Sequence, residues 1–318
     1  MKPLLLSLLL GVTLWADAHV FVYHRFDDSR YPSTNTTKEE LKREFEYFKA
    51  NNYEVVSLDV LVKALKDKVD IPDNWVVLTI DDNFKSFYTG GLSLFKQYNY
   101  PFSLFVYVEA TEKKYPDYLS WDELREIAKY GSLEFHSYGH EHMTYMSNEA
   151  IKKDFDRGLG LFFKELHGKP KYFTYPYGEF TPRVKNLVKS YGFEAIINQN
   201  MGAVSILSDV YDIDRTALVG QANLKLDLRN KTLKAHWIEP KEVPKNGIIE
   251  SLHVQTDENS KNGEVYLTGY GWMQTQLNNG DFNVTLNKKL VNKRSRIIVS
   301  VGNKISTKLL IKDSYGTK

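Results

Sequence analysis

Two short groups of polar residues follow apolar, strand-like runs in this chain, and their residue types suit hydrolysis at a metal ion. The run Trp75-Val-Val-Leu-Thr-Ile80 passes directly into Asp81-Asp82. Neighbouring residues at a strand end point in different directions, so one carboxylate can ligate a cation while the other handles protons. The same dipeptide also suits the N-terminus of a helix starting near Phe84, where a carboxylate accepts from free backbone N–H groups. Leu133-Glu-Phe135 leads into His136-Ser-Tyr-Gly-His140, two imidazoles four residues apart. That spacing is common for two ligands on one metal. Gly139 indicates a loop, solvated surface histidines are the plainer alternative, and His142 is a third, less well placed candidate. Cys occurs at 0 positions, so any metal must be held by His and carboxylate. Two His and one carboxylate, with Asp82 the candidate, fill three positions and leave others open to water and substrate, as in catalytic sites.

Three more positions belong to the same pattern. Tyr172-Phe-Thr-Tyr175 is followed by Pro176-Tyr177-Gly178, a stiff turn that can aim a backbone N–H at a developing oxyanion; taken alone it is an ordinary turn. Val20-Phe-Val-Tyr23 delivers His24, whose near-neutral pKa suits a general acid, although a lone histidine there is more often structural. Asp214-Arg215 follows a run ending at Ile213 and can either orient a catalytic carboxylate or form a surface salt bridge.

These positions converge only if the strands are parallel neighbours, because ligands of such sheets bind at the carboxyl ends of the strands. Apolar runs at Val20–Tyr23, Tyr53–Ser57, Trp75–Ile80, Phe102–Val108, Leu133–His136, Tyr172–Tyr175 and Phe193–Ile197 alternate with helical patterns. Among the helices are Lys38–Asn51, with Leu41, Phe45 and Phe48 on one face, and Trp121–Tyr130 after a Ser120 cap with Glu123 at the capping-box position. The pattern predicts an α/β fold, a distorted or partly open (β/α) barrel of about seven strands over residues 19–221. From residue 222 to 318 short alternating runs at Leu224–Leu228, Ile248–Val254, Glu264–Tyr270, Phe282–Leu286 and Ile297–Val301 predict a small all-β sandwich. Trp237, Tyr270 and Trp272 there can bind sugar rings or fill the core, and core packing is favoured.

The N-terminus reads Met1-Lys2, an apolar stretch Leu4–Leu14, then Ala16-Asp17-Ala18. This is the pattern of a signal peptide over residues 1–18, and the stretch is shorter than the roughly 20 residues that span a bilayer. Export to the periplasm or cell surface is expected. The net charge of +2, with 26% charged residues of both signs interspersed, leaves no footprint for nucleic acid or anionic membrane and points to a neutral or small partner. Aromatic residues make up 14% of the chain, with 21 Tyr; they suit stacking on sugar rings, although core packing accounts for most of them.

Taken together and in order, Thr79-Ile80-Asp81-Asp82-Asn83, His136-Ser-Tyr-Gly-His140 and Tyr175-Pro-Tyr177-Gly178 resemble polysaccharide deacetylases with a NodB homology domain, carbohydrate esterase family four. The resemblance covers roughly residues 19 to 220, and Tyr23-His24-Arg25 looks like the poly-N-acetylglucosamine deacetylase branch. It implies Asp81 as catalytic base, Asp82, His136 and His140 as ligands of a divalent metal, usually Zn²⁺, a Tyr177 backbone contact to the oxyanion, and His24 as general acid. It further implies removal of N-acetyl groups from an N-acetylglucosamine-containing polysaccharide, with a biofilm exopolysaccharide favoured over peptidoglycan. The alternative is a catalytically inactive glycan-binding protein on the same fold. A glycosidase using Asp81 and Asp82 is disfavoured, since adjacent carboxylates are unlikely to flank a bond at the required separation. Two positions depart from the family pattern: Asn83 stands where Gly is more usual, and Thr174-Tyr175 where many members carry Arg-Pro. The partner of Asp81 must then come from elsewhere or be missing, and Arg215 is the candidate.

Overall fold

The computed structural model describes residues 17–220, 222–312 and 315. Apart from Asp17 and Ala18, the expected signal peptide lies outside the described residues, among which no helix is long and apolar enough to cross a membrane. The first sheet contains β1 (His19–Tyr23), β2 (Glu54–Val55), β3 (Trp75–Asp81), β4 (Ser103–Val106), β5 (Ser132–Phe135), β6 (Tyr172–Thr174), β7 (Ala195–Ile197) and β8 (Thr216–Ala217). Their order is β8-β1-β3-β4-β5-β6-β7, with β2 joining β3, and every pairing is parallel. All of β1 and β4 is buried, as expected for parallel strands covered on both faces. This is the distorted barrel of about seven strands that the sequence predicts.

The two ends of the sheet nearly meet. Ile213 bridges to Ile197 in β7, while Thr216, three residues later, pairs with Phe21 in β1. The segment Ile213–Thr216 therefore crosses the gap in the barrel wall, and Asp214 and Arg215 ride on it. Helices cover the outside. Lys38–Ala50 starts at a Thr37/Glu40 capping box and buries Leu41, Phe45 and Phe48. Trp121–Ile127 starts at the Ser120/Glu123 box but stops three residues short of the predicted Tyr130. A side chain added at the following Gly131 would collide with the Phe102 ring, so the chain turns there with glycine.

Leu224–Leu228, predicted as a strand, begins instead with a short helix, Leu224–Asp227. The Asn223 side chain accepts from the N–H of Leu226, and this local cap outweighs a five-residue apolar alternation that fits either structure. The remaining chain forms β9 (Lys231–Thr232), β10 (Ala235–Glu239), β11 (Ile248–Thr256), β12 (Asn262–Leu267), β13 (Gly271–Gln276), β14 (Phe282–Lys289), β15 (Arg294–Val301) and β16 (Lys304–Ile311). They make a five-stranded sheet, β9-β16-β15-β12-β13, and a three-stranded sheet, β10-β11-β14. Leu252, Val254 and Phe282 of one sheet meet Val265, Ile297 and Val299 of the other in a shared core. The β9, β10, β13 and β16 strands were not foreseen: β13, for instance, buries none of its residues fully, and its sequence Gly271-Trp-Met-Gln-Thr-Gln276 does not alternate apolar with polar residues.

Hydrogen bonds join the sandwich to the barrel. Thr307 donates to the Met201 carbonyl at 2.7 Å and Thr232 Oγ1 to that of Ala203 at 3.1 Å. His19, at the start of β1, is 2% exposed, stacks on Phe21, and has no hydrogen bond at Nε2. Burial, with help from Lys231, lowers its pKa from 6.5 to about 4. A base whose folded pKa lies below its unfolded value contributes stability above the unfolded pKa and loses it as pH falls toward the folded one. His19 is therefore expected to cost about 3 kcal/mol of stability between pH 6.5 and 4. Urea unfolding across that window should show the loss in the wild type and a correspondingly flatter profile in His19→Phe.

Candidate metal centre and its surroundings

The carboxyl end of the barrel gathers all seven singled-out side chains. β3 ends at Asp81, and the next two residues adopt left-handed backbone, with φ of 73° at Asp82 and 44° at Asn83. This abrupt turn directs Asp82 away from Asp81. Asn83 tolerates a conformation that otherwise favours glycine because its side chain bonds locally. Its Oδ1 accepts from the Tyr107 N–H at 2.6 Å and its Nδ2 donates to Thr111 at 2.9 Å. Asn83 thus does what the expected glycine could not: it fastens the turn after β3 to the start of the short helix Val108–Glu112 that follows β4.

Asp82 Oδ1 lies 3.0 Å from Nε2 of His140 and 3.3 Å from Nε2 of His136. It is buried without a hydrogen-bond partner. The three ligand atoms lie within 4.8 Å of one another. The His136 ring is oriented from behind, since Nδ1 donates to the Thr174 carbonyl at 2.8 Å, leaving the Nε2 lone pair free toward Asp82. Such an outer contact fixes tautomer and direction in metal-bound histidines. His140 is set by left-handed backbone (φ 50°) and by its N–H donating to Ser137 Oγ. A buried, otherwise unpaired carboxylate oxygen facing two imidazole nitrogens is a donor set that fits a divalent cation with open positions. His142 stands aside, paired with Glu179 at 2.7 Å and stacked on Tyr177 with ring centroids 3.9 Å apart.

Asp81 makes a different contact. Arg215 grips it with two hydrogen bonds, Nη1 to Oδ1 at 2.8 Å and Nη2 to Oδ2 at 2.6 Å. The guanidinium is 1% exposed and is held further by Thr79 Oγ1 at 3.0 Å and the Asn198 carbonyl at 3.1 Å. Burial pushes the Asp81 pKa up, but Arg215 and His136 outweigh it and hold the carboxyl below its ordinary range. The pair is buried, so it is not the surface salt bridge that the sequence left open, and Asp214 turns away to accept from Asn198 Nδ2 at 2.9 Å. Thr174, where an arginine-containing pair is usual, serves His136 instead.

His24, one residue beyond β1, has a buried Nδ1 with no hydrogen bond. Burial lowers its pKa, against the pull of Asp82 and Asp81, so a proton on this ring is weakly held. Tyr177 has left-handed backbone (φ 59°) inside a single helical turn, Pro176–Gly178. The N–H groups of Gly178 and Glu179 are taken by the carbonyls of Tyr175 and Pro176. The Tyr177 carbonyl accepts from Arg294 Nη1 of β15, a contact from the sandwich with no local signal in the sequence.

Residues 68–196 match the family model described as polysaccharide deacetylase. The poly-beta-1,6-N-acetyl-D-glucosamine N-deacetylase of Escherichia coli (strain K12) is 22% identical over 240 residues, covering 62% of this chain and 35% of the relative. This chain therefore spans about a third of the length of the curated relatives it matches. Among solved structures, Streptococcus pyogenes deacetylase PplD in complex with acetate aligns with a TM-score of 0.60 at 16% identity, over 65% of this chain and 94% of that one. IcaB from Ammonifex degensii aligns with a TM-score of 0.56 at 22% identity, over 64% and 92%. These likenesses agree with the barrel fold, and the resemblance to NodB-type polysaccharide deacetylases read from the sequence is borne out.

The buried Asp81–Arg215 pair sets a stability expectation. Removing one partner leaves the other charge uncompensated, at a cost of about 3–5 kcal/mol, whereas replacing both with apolar groups costs far less. Urea denaturation should find Arg215→Met destabilised by that amount and Asp81→Leu/Arg215→Met substantially recovered. A double variant as unstable as the single would show that the pair is not coupled.

Proposed function

We propose that this chain is a metal-dependent deacetylase that removes N-acetyl groups from an N-acetylglucosamine polysaccharide outside the cytoplasm, in the periplasm or at the cell surface. An exopolysaccharide of the poly-β-1,6-N-acetylglucosamine kind is favoured, in keeping with the activity named for the Escherichia coli relatives. The observation that carries this reading is the side-by-side arrangement of two carboxylates with separate partners: Asp82 facing His136 and His140, and Asp81 clamped by Arg215. Adjacent in sequence, they divide the work of metal binding and proton transfer.

Asp82, His136 and His140 would hold the cation, most simply Zn²⁺. When bound it supplies Lewis acidity toward water and toward the acetamide oxygen. Asp81, kept ionised by Arg215, is the general base that accepts the proton of the attacking water. The backbone N–H of Tyr177 donates to the oxygen that becomes negative as the carbonyl carbon turns tetrahedral. His24 gives a proton to the departing amine, a transfer favoured by the weak hold that its buried setting gives it. The products are acetate and a glucosamine unit.

The test is acetate release from oligomers of β-1,6-linked N-acetylglucosamine and from peptidoglycan fragments, with zinc, cobalt or chelator added. Release from the former that chelator abolishes is the expected result. His24→Ala is expected to bind metal normally while kcat falls by about 10²–10⁴-fold, the usual share of a general acid. Unchanged turnover in that variant removes His24 from the mechanism. Metal retention without acetate release from either glycan would favour an inactive glycan-binding protein instead.

A further inference from the structure

The barrel and the five-stranded sheet enclose a cleft of about 680 Å³ on the flank of the metal centre, within the roughly 300–1,000 Å³ range of small-ligand sites. Arg215, the clamp on Asp81, forms part of its wall, and so does Arg294, which holds the Tyr177 carbonyl. Through Arg294 the wall of the cleft is tied to the turn proposed to face the reacting acetamide. Its sandwich wall carries Trp272, 51% exposed, opposite Tyr266 on the neighbouring strand with ring centroids 5.4 Å apart. The sequence favoured core packing for Trp272, but β13 is an edge strand and the indole lies outside the sandwich core.

Arg296 lines the same cleft. Its Nη2 donates to the Gln199 carbonyl at 2.9 Å, which joins the two sheets, but its Nε is buried and has no hydrogen-bond partner. Among the described residues neither Arg294 nor Arg296 forms a salt bridge with a carboxylate, and the acidic group on the cleft is Asp227 of the opposite wall. Joining two domains does not require a half-exposed indole beside two arginines that lack a carboxylate partner. A ligand with a flat apolar face and oxygen acceptors at its edge, as a sugar ring bearing an acetamide has, accounts for that pairing.

Building on the function proposed above, we propose that this cleft is a glycan subsite in which Trp272 stacks on the sugar next to the one being deacetylated, beside the Arg294 and Arg296 side chains that line the same wall. The sandwich then acts as the second jaw of the substrate groove, and the chain recognises a run of linked sugars rather than a single unit.

The experiment measures binding and turnover of β-1,6-linked N-acetylglucosamine dimer and hexamer by the wild type, Trp272→Ala and Arg296→Gln, using calorimetry for binding and acetate release for turnover. Truncating a stacked aromatic is expected to weaken hexamer binding about tenfold. The hexamer-to-dimer ratio of kcat/KM should fall by a similar factor, mainly through KM. Circular dichroism and thermal melting of each variant identify loss through misfolding. Turnover by the wild type with no change in that ratio in either folded variant overturns the subsite and leaves the deacetylase reading intact. Hexamer binding that depends on Trp272, without turnover on any glycan, sustains the subsite and overturns the deacetylase reading. A hexamer that fails to bind the wild type overturns the subsite.

Discussion

The bidentate contact between Arg215 and Asp81 organises this end of the molecule. A buried guanidinium and a buried carboxylate are each costly alone, so the chain must deliver both to one point. Asp81 comes from the end of β3, and Arg215 from the segment that carries the chain from β7 across to β1. The same guanidinium holds Thr79 within β3 and the Asn198 carbonyl beyond β7. One side chain thereby ties together three places on the rim where the barrel would otherwise stand open. Asp82 of the candidate metal site occupies the neighbouring turn, so its position toward His136 and His140 follows from how firmly that rim is held.

Much of this arrangement was legible in the sequence because strand ends are punctuated. Asp81-Asp82, His136 with His140, Tyr177 and His24 each follow an apolar run at once, and parallel strands bring such positions to one end of a barrel. Arg215 was visible only as a charge after a run ending at Ile213; that it turns inward to Asp81 depends on the near-closure of the sheet, which no local pattern records. Asn83 was legible as a departure from glycine but not as a tether, since its partners Tyr107 and Thr111 belong to the short helix after β4 and its cap. Leu224–Leu228 misled because five residues are too few to separate a period of 2 from one of 3.6.

What lay beyond reach was contact between the two parts of the chain. Arg294 and Arg296 lie on a strand with the alternation of a sandwich, and nothing nearby indicates that their heads reach Tyr177 and Gln199, 117 and 97 residues earlier. The aromatics were a similar case. Trp237 is partly buried against the sandwich core and donates to Ser306, whereas Trp272 on an edge strand is half exposed, and only the strand order distinguishes them.

Five residues at the candidate metal centre, Asp82, Asn83, Ser137, His140 and Tyr177, have left-handed backbone without being glycine. Asp82 and Asn83 adopt it at little cost, whereas Ser137, His140 and Tyr177 each carry a conformational cost of about 1 kcal/mol. Their sum, about 3 kcal/mol, is a sizeable share of the net stability of an ordinary domain, about 5–15 kcal/mol. The outer barrel and its aromatic core must therefore be more stable than the fold alone requires. This builds in a trade between robustness and chemistry: the substitutions that would most easily stabilise these turns, glycine at Tyr177 or Ser137, would relax the geometry that aims the site. Selection for thermal tolerance then has to act on the helices and the sandwich, and leave these turns strained.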